Sequence, residues 1–85
     1  MIYIIERKIW NKNETDFEQS FLDLHTMFFS KKIFGCTLLS NKKYAMSRLN
    51  DEKRFHKRQH PEDEKTEFCL IQFNLEDILM FYGII

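Results

Sequence analysis

Apolar and polar residues follow two different periods along this chain, and each change of period marks an element. Residues 2–10 set Tyr3, Ile5 and Ile9 on one side of an extended segment and Ile4 and Trp10 on the other. Apolar side chains on both faces predict an interior strand. Asn11-Lys12-Asn13-Glu14 is a polar loop. Thr15 with Glu18 three positions on has the form of a capping box. Phe17, Phe21, Leu24 and Phe28 then recur at one helical spacing, which predicts a helix over residues 16–29. In that reading His25 is a mid-helix packing residue. Leu22, Leu24, Thr26 and Phe28 also alternate, so a strand is the competing assignment. Ser30-Lys31-Lys32 is a turn either way.

A second strand is expected over residues 33–39, with Gly35 as a bulge or close-approach point. Ser40 or Asn41 caps the next helix, whose buried stripe is Ala45, Met46 and Leu49. Tyr44 and Phe55 share a second, more exposed face. Pro61 ends this helix at His60 or before, because the residue preceding proline avoids the helical region. Residues 67–73 form a third strand, with Cys69, Ile71 and Phe73 opposite Phe68 and Leu70. Asn74 caps a last short helix with Leu75, Ile78, Leu79 and Tyr82 as its stripe and Gly83 as its C-terminal cap. The expected fold is a single α+β domain over residues 1–85. It has a small three-stranded sheet with two or three helices packed on it, in strand-helix-strand-helix-strand-helix order.

Composition adjusts this picture in three ways. Eighty-five residues bury a modest fraction of their surface, but nine Phe, three Tyr and one Trp bury a large area per residue. Valine is absent and alanine occurs once, at Ala45, which reads as the codon bias of an AT-rich genome. Cys36 and Cys69 read as small buried hydrophobes in a reducing compartment. No basic lead-in precedes Ile2, and the longest apolar run, of eight residues, ends at Ile85. A bilayer span needs about 20. The expectation is a soluble cytoplasmic protein with no cofactor and no membrane partner, in the host cell cytoplasm if phage-encoded.

The charge is neutral in sum but segregated. Residues 31–60 hold nine Lys/Arg against two acids, residues 61–85 one Lys against six acids, and residues 1–30 three bases against five acids. Local fields, not totals, steer anionic partners. On a helix, Lys43, Lys53, Arg54 and Lys57 share one sector, with Arg58 close by, a convergence suited to phosphate. Tyr44 and Phe55 are placed to add stacking. The competing reading is a solvated face answered by Glu62-Asp63-Glu64, where exposed ion pairs contribute about 0–1 kcal/mol each. Beyond the last helical stripe, Phe81, Ile84 and Ile85 are surplus apolar residues that suit a protein contact or a dimer seam.

Two other chemistries use the same region. His56 and His60 are spaced for one helix side, a metal-ligand spacing. Pro61 breaks the turn that holds His60, however, and the cysteines lack close pairing, so no metal site is expected. The same histidines among Lys/Arg fit general acid–base attack on an RNA 2′-hydroxyl. No third group that would orient either histidine is evident in the sequence.

The segment Leu39-Ser40-Asn41-Lys42-Lys43-Tyr44-Ala45 resembles small phage and mobile-element proteins that carry a Phe-Ser-Ser-Lys-Glu-Lys-Ala pattern after a strand. Ser40, Lys42 and Ala45 match, while Leu39, Asn41, Lys43 and Tyr44 depart. The resemblance implies host-defence inhibition, as in anti-CRISPR proteins, and no site residue. The functional expectation is a non-catalytic inhibitor of a host defence nucleoprotein such as a CRISPR effector. It would bind through its basic helix and apolar tail, as a monomer or homodimer. The alternatives are a small single-stranded-RNA-binding protein and a metal-independent ribonuclease toxin using His56 and His60.

Overall fold

A computed structural model of the chain describes residues 1–31, 36–74, 76–77 and 80. Its elements are β1 (Ile2–Trp10), β2 (Phe17–Asp23), β3 (Phe28–Ser30), α1 (Lys42–Gln59) and β4 (Thr66–Phe73). The strands form one antiparallel sheet in the order β3-β2-β1-β4. This overturns the expectation of three strands with two or three helices. The sheet has four strands, and α1 is the one complete helix among the described residues.

The interior position of β1 holds. It pairs β2 through Glu6–Trp10 on one side and β4 along Ile2–Ile9 on the other. Both of its edges are therefore paired. Ile5, Leu22 and Leu49 form the core under α1, joined by Phe29, Phe68 and Leu70. Ile4 and Phe21 form a second core on the opposite face, joined by Ile2, Cys36, Ile71 and Phe73.

The largest correction concerns residues 16–29, which form the β2–β3 hairpin and no helix. Phe17 and Phe21 sit four apart, a spacing that shares a face in a strand as well as in a helix. The decision comes from β1, whose free backbone edge is satisfied by β2. Thr15 does not cap. Its N–H donates to Asn11 Oδ1 (2.9 Å), and the loop closes with Asn11 N–H on the Asp16 carbonyl (2.9 Å). His25 is an exposed turn residue, held by its N–H on Asp23 Oδ1 (2.9 Å). Met27 takes a left-handed backbone, φ 63°, and donates its N–H to the Asp23 carbonyl (2.8 Å).

The expected strand over residues 33–39 falls partly outside the described residues. Its described end makes an isolated antiparallel bridge, with Leu39 and Tyr3 exchanging hydrogen bonds of 2.7 and 2.9 Å. Thr37 Oγ1 accepts from Leu24 N–H (2.7 Å), tying this segment to the hairpin.

Helix α1 begins as expected. Asn41 Oδ1 accepts the Tyr44 N–H (2.9 Å), and the helix stops before His60 and Pro61. Its buried stripe is Ala45 and Leu49, whereas Met46 is exposed. β4 matches the expected third strand with one residue more at its start. Asn74 Oδ1 accepts the Asp77 N–H (2.8 Å), the predicted cap. Leu75, Ile78, Leu79, Tyr82 and Gly83 lie outside the described residues.

Candidate functional site

α1 lies across β1 and β4 with Leu49 at the centre of its buried face. Contacts fix its direction: Leu49 joins the core cluster of Leu70, and His56 lies edge-on to Phe68 at 5.3 Å. The helix therefore runs antiparallel to β4. At about 100° per residue, the side chains then divide into two flanks.

The flank over β4 carries Lys42, Lys43, Lys53 and Lys57, all exposed. Lys53 and Lys57 line a cleft of about 540 Å³ whose other wall runs from Pro61 to Cys69. No carboxylate among the described residues lies within ion-pair distance of Lys53, Lys57 or Arg58. Arg54, expected in the same sector as the lysines, is instead paired with Asp51 and lines the cleft of Met27 and Phe55. The acidic loop thus sits beside the lysines without neutralising them in contact.

The flank over β2 and β3 carries Tyr44, Arg48, Phe55 and Gln59. Phe55 is 59% exposed and shares a cleft of about 440 Å³ with Met27, Phe28, Phe29 and Arg7. Arg48 is held by Glu52 (3.2 Å) and Asp51 (3.8 Å). The Arg7 guanidinium lies over the Phe29 ring at 4.3 Å, and its Nε donates to Ser20 Oγ (3.2 Å). The lysines and the aromatics of α1 thus belong to different sides of the helix, whereas Arg48, Arg54 and Arg58 line a cleft together with Met27 and Phe55.

Comparison with protein-family models, curated proteins and solved structures found no match.

His56 does have an orienting group. Its Nε2 is 2.7 Å from Asp63 Oδ2. Asp63 also accepts from Thr66 Oγ1 (2.6 Å) and from the Lys65 N–H (2.8 Å). These bonds, from Thr66 first, then Lys65 and His56, hold the Asp63 carboxyl well below the usual carboxylate range. The His60 ring lies 5.0 Å from that of His56. The geometry ties the end of α1 to the start of β4.

Cys36 and Cys69 are free and half-buried. Burial pushes the Cys36 thiol up. Among the described residues no group of three His, Cys, Asp or Glu side chains is placed to hold a metal. No described helix is long and apolar enough to cross a membrane. Phe81, Ile84 and Ile85 lie outside the described residues.

Sequence reasoning missed Arg7, Met27, Phe28 and Asp63. Met27 and Phe28 were hidden by the helical assignment, which turned Phe28 inward; it is 74% exposed. Asp63 was hidden by being read as solvated loop charge.

Proposed function

We propose that the protein is a binding protein without chemistry of its own, which applies the exposed cationic side of α1 to an anionic surface on a larger target. One observation carries this reading. Lys53, Lys57 and Arg58 project from a single rigid helix with no carboxylate among the described residues in contact with them. A rigid array of unpaired cations loses little on meeting an anionic partner, whereas cations already in ion pairs must first give up their partners.

The likeness of residues 39–45 to small phage and mobile-element proteins supports an inhibitor of a host defence nucleoprotein, such as a CRISPR effector. Phe55, Met27 and Phe28 on the other flank suit the protein part of such a target, since aromatic and Arg anchors dominate interfaces.

The test compares the wild type with a K53E/K57E/R58E variant in affinity capture from a low-GC bacterial lysate, with and without ribonuclease. Loss of the captured partner with the variant is expected, and an unchanged set of partners defeats the reading. Where the partner is RNA, three phosphate contacts give a slope of log K against log salt of about −0.7 × 3, or roughly −2.

A further inference from the structure

One stripe of α1 carries residues that the core does not use. Tyr44, Arg48, Asp51, Phe55 and Arg58 follow one another at steps of four, three, four and three residues. At about 100° per residue that spacing keeps all five on one side, the arrangement by which one helix lies along another. The buried stripe of Ala45 and Leu49 faces elsewhere. Phe55 has Met27 and Phe28 of the hairpin beside it in one cleft, and all three are more than half exposed. Met27 is placed there by a left-handed backbone, φ 63°, a costly conformation for a residue other than glycine. A contiguous exposed apolar patch of this kind marks a contact site.

The rim of the patch carries both signs of charge. Arg48, Arg54 and Arg58 line its cleft together with Asp51 and Glu52. Asp51 is paired with Arg54, yet 43% of its side chain stays exposed. Arg58 has no carboxylate among the described residues within ion-pair distance. A partner of one sign would meet like charge at Asp51 or at Arg58. A partner that suits both must itself carry an acid and a base at the same spacing, and a second copy of the chain does. The spacing is nearly symmetric about Phe55. Asp51 lies four residues before it and Arg58 three after, about 6 Å and 4.5 Å along the axis at 1.5 Å per residue. Two antiparallel copies related by a two-fold axis at Phe55 therefore set Asp51 of each opposite Arg58 of the other. A register centred on Asp51 would bring two carboxylates together, which disfavours it.

We propose that the protein forms a two-fold dimer through this stripe. Phe55 packs on Phe55 of the second copy, Met27 and Phe28 widen the apolar centre, and two Asp51–Arg58 ion pairs close it. An apolar centre with aromatic anchors and a polar rim is the ordinary anatomy of an interface. One helical stripe and three apolar side chains make a contact at the small end of specific interfaces, below roughly 1,200 Å² in total, so association is expected at micromolar concentrations and above. Lys42, Lys43, Lys53 and Lys57 lie on the other flank of α1, outside the seam. In the free protein a second copy thus covers Phe55 and Met27, while two lysine flanks stay open and an anionic target can engage both.

Sedimentation equilibrium of the full chain over a dilution series reads the dimer. The wild type is expected to pass from dimer to monomer through the micromolar range. Phe55→Ala, at an exposed position, should raise the dissociation constant roughly tenfold or more. D51K and R58E test the ion pairs. Each alone sets like charges opposite one another and is expected to be monomeric. Mixed in equal amounts, the two variants restore opposite charges at both pairs, so the mixture should dimerise where neither variant does. Far-UV circular dichroism checks that α1 persists in each, and Phe55→Ala decides the matter if either variant loses it. A wild type that stays monomeric up to millimolar concentration overturns the proposal. A dimer that Phe55→Ala leaves unchanged overturns it, as does a mixture of folded variants that remains monomeric. K53E/K57E should dimerise like the wild type, and its failure to do so would put the lysine flank in the seam and overturn the proposal as well. The lysine contact with a target is judged by capture with K53E/K57E, so either reading can fall without the other.

Discussion

His56 and Asp63, seven residues apart, close a hydrogen-bonded clasp across Pro61, with Nε2 and Oδ2 at 2.7 Å. The clasp fixes how far β4 begins from the end of α1. Asp63→Ala should cost about 1 kcal/mol near neutral pH, the usual contribution of a partly exposed charged hydrogen bond. The folded-state pKa of Asp63 is depressed. Its stabilising effect is therefore fully present above the ordinary carboxylate pKa of about 4 and is lost progressively below it, as pH falls through the depressed folded value. Urea unfolding from neutral to acid pH should show the wild type and Asp63→Ala converging in acid. A constant gap between them would rule out this linkage.

Leu49 and Met46 separate core from surface on α1. Leu49 is 4% exposed and Met46 is 39% exposed. Leu49→Ala should destabilise by about 2–5 kcal/mol, a large share of the stability of so small a domain. Met46→Ala should stay within about 0.5 kcal/mol. Equal losses in thermal melts would mean that α1 is rotated from the orientation described.

Met27 sits at φ 63° with its side chain mostly in solvent. A left-handed backbone costs a non-glycine residue roughly 1–2 kcal/mol, and glycine avoids that cost. Met27→Gly should therefore raise the melting temperature by a few degrees. If partner capture falls at the same time, the strained turn serves to present Met27 beside Phe55. A lower melting temperature would show that the Met27 side chain packs more than its exposure implies.

The parts of the fold governed by short-range pattern were legible. β1 announced its interior place through apolar residues on both faces, and α1 through Asn41 and Pro61. β4 was found to within one residue. The β2–β3 hairpin was not legible, because Phe17 and Phe21 fit a face of either element. The deciding term was the unpaired edge of β1, which no window of the sequence contains. The same holds for the site. The cations of α1 were plain, but the separation of its lysines from Phe55 depends on which side of the helix meets the sheet. That side is set by Leu49 and Ile5, which are far apart in sequence. The His56–Asp63 clasp needed the loop geometry around Pro61.

Among the described strands, the interior strand β1 precedes the others in the chain. Ile2 pairs with Phe73, so the ladder that completes β1 joins nearly opposite ends of the described chain. Such distant pairing is slow to close and gives nothing until both partners exist. During synthesis β1, already paired with β2, must wait with its other edge open until the ribosome has released residue 73. A nascent chain halted inside β4 would leave that edge bare, exposing the molecule to aggregation or proteolysis at the step just before it becomes stable.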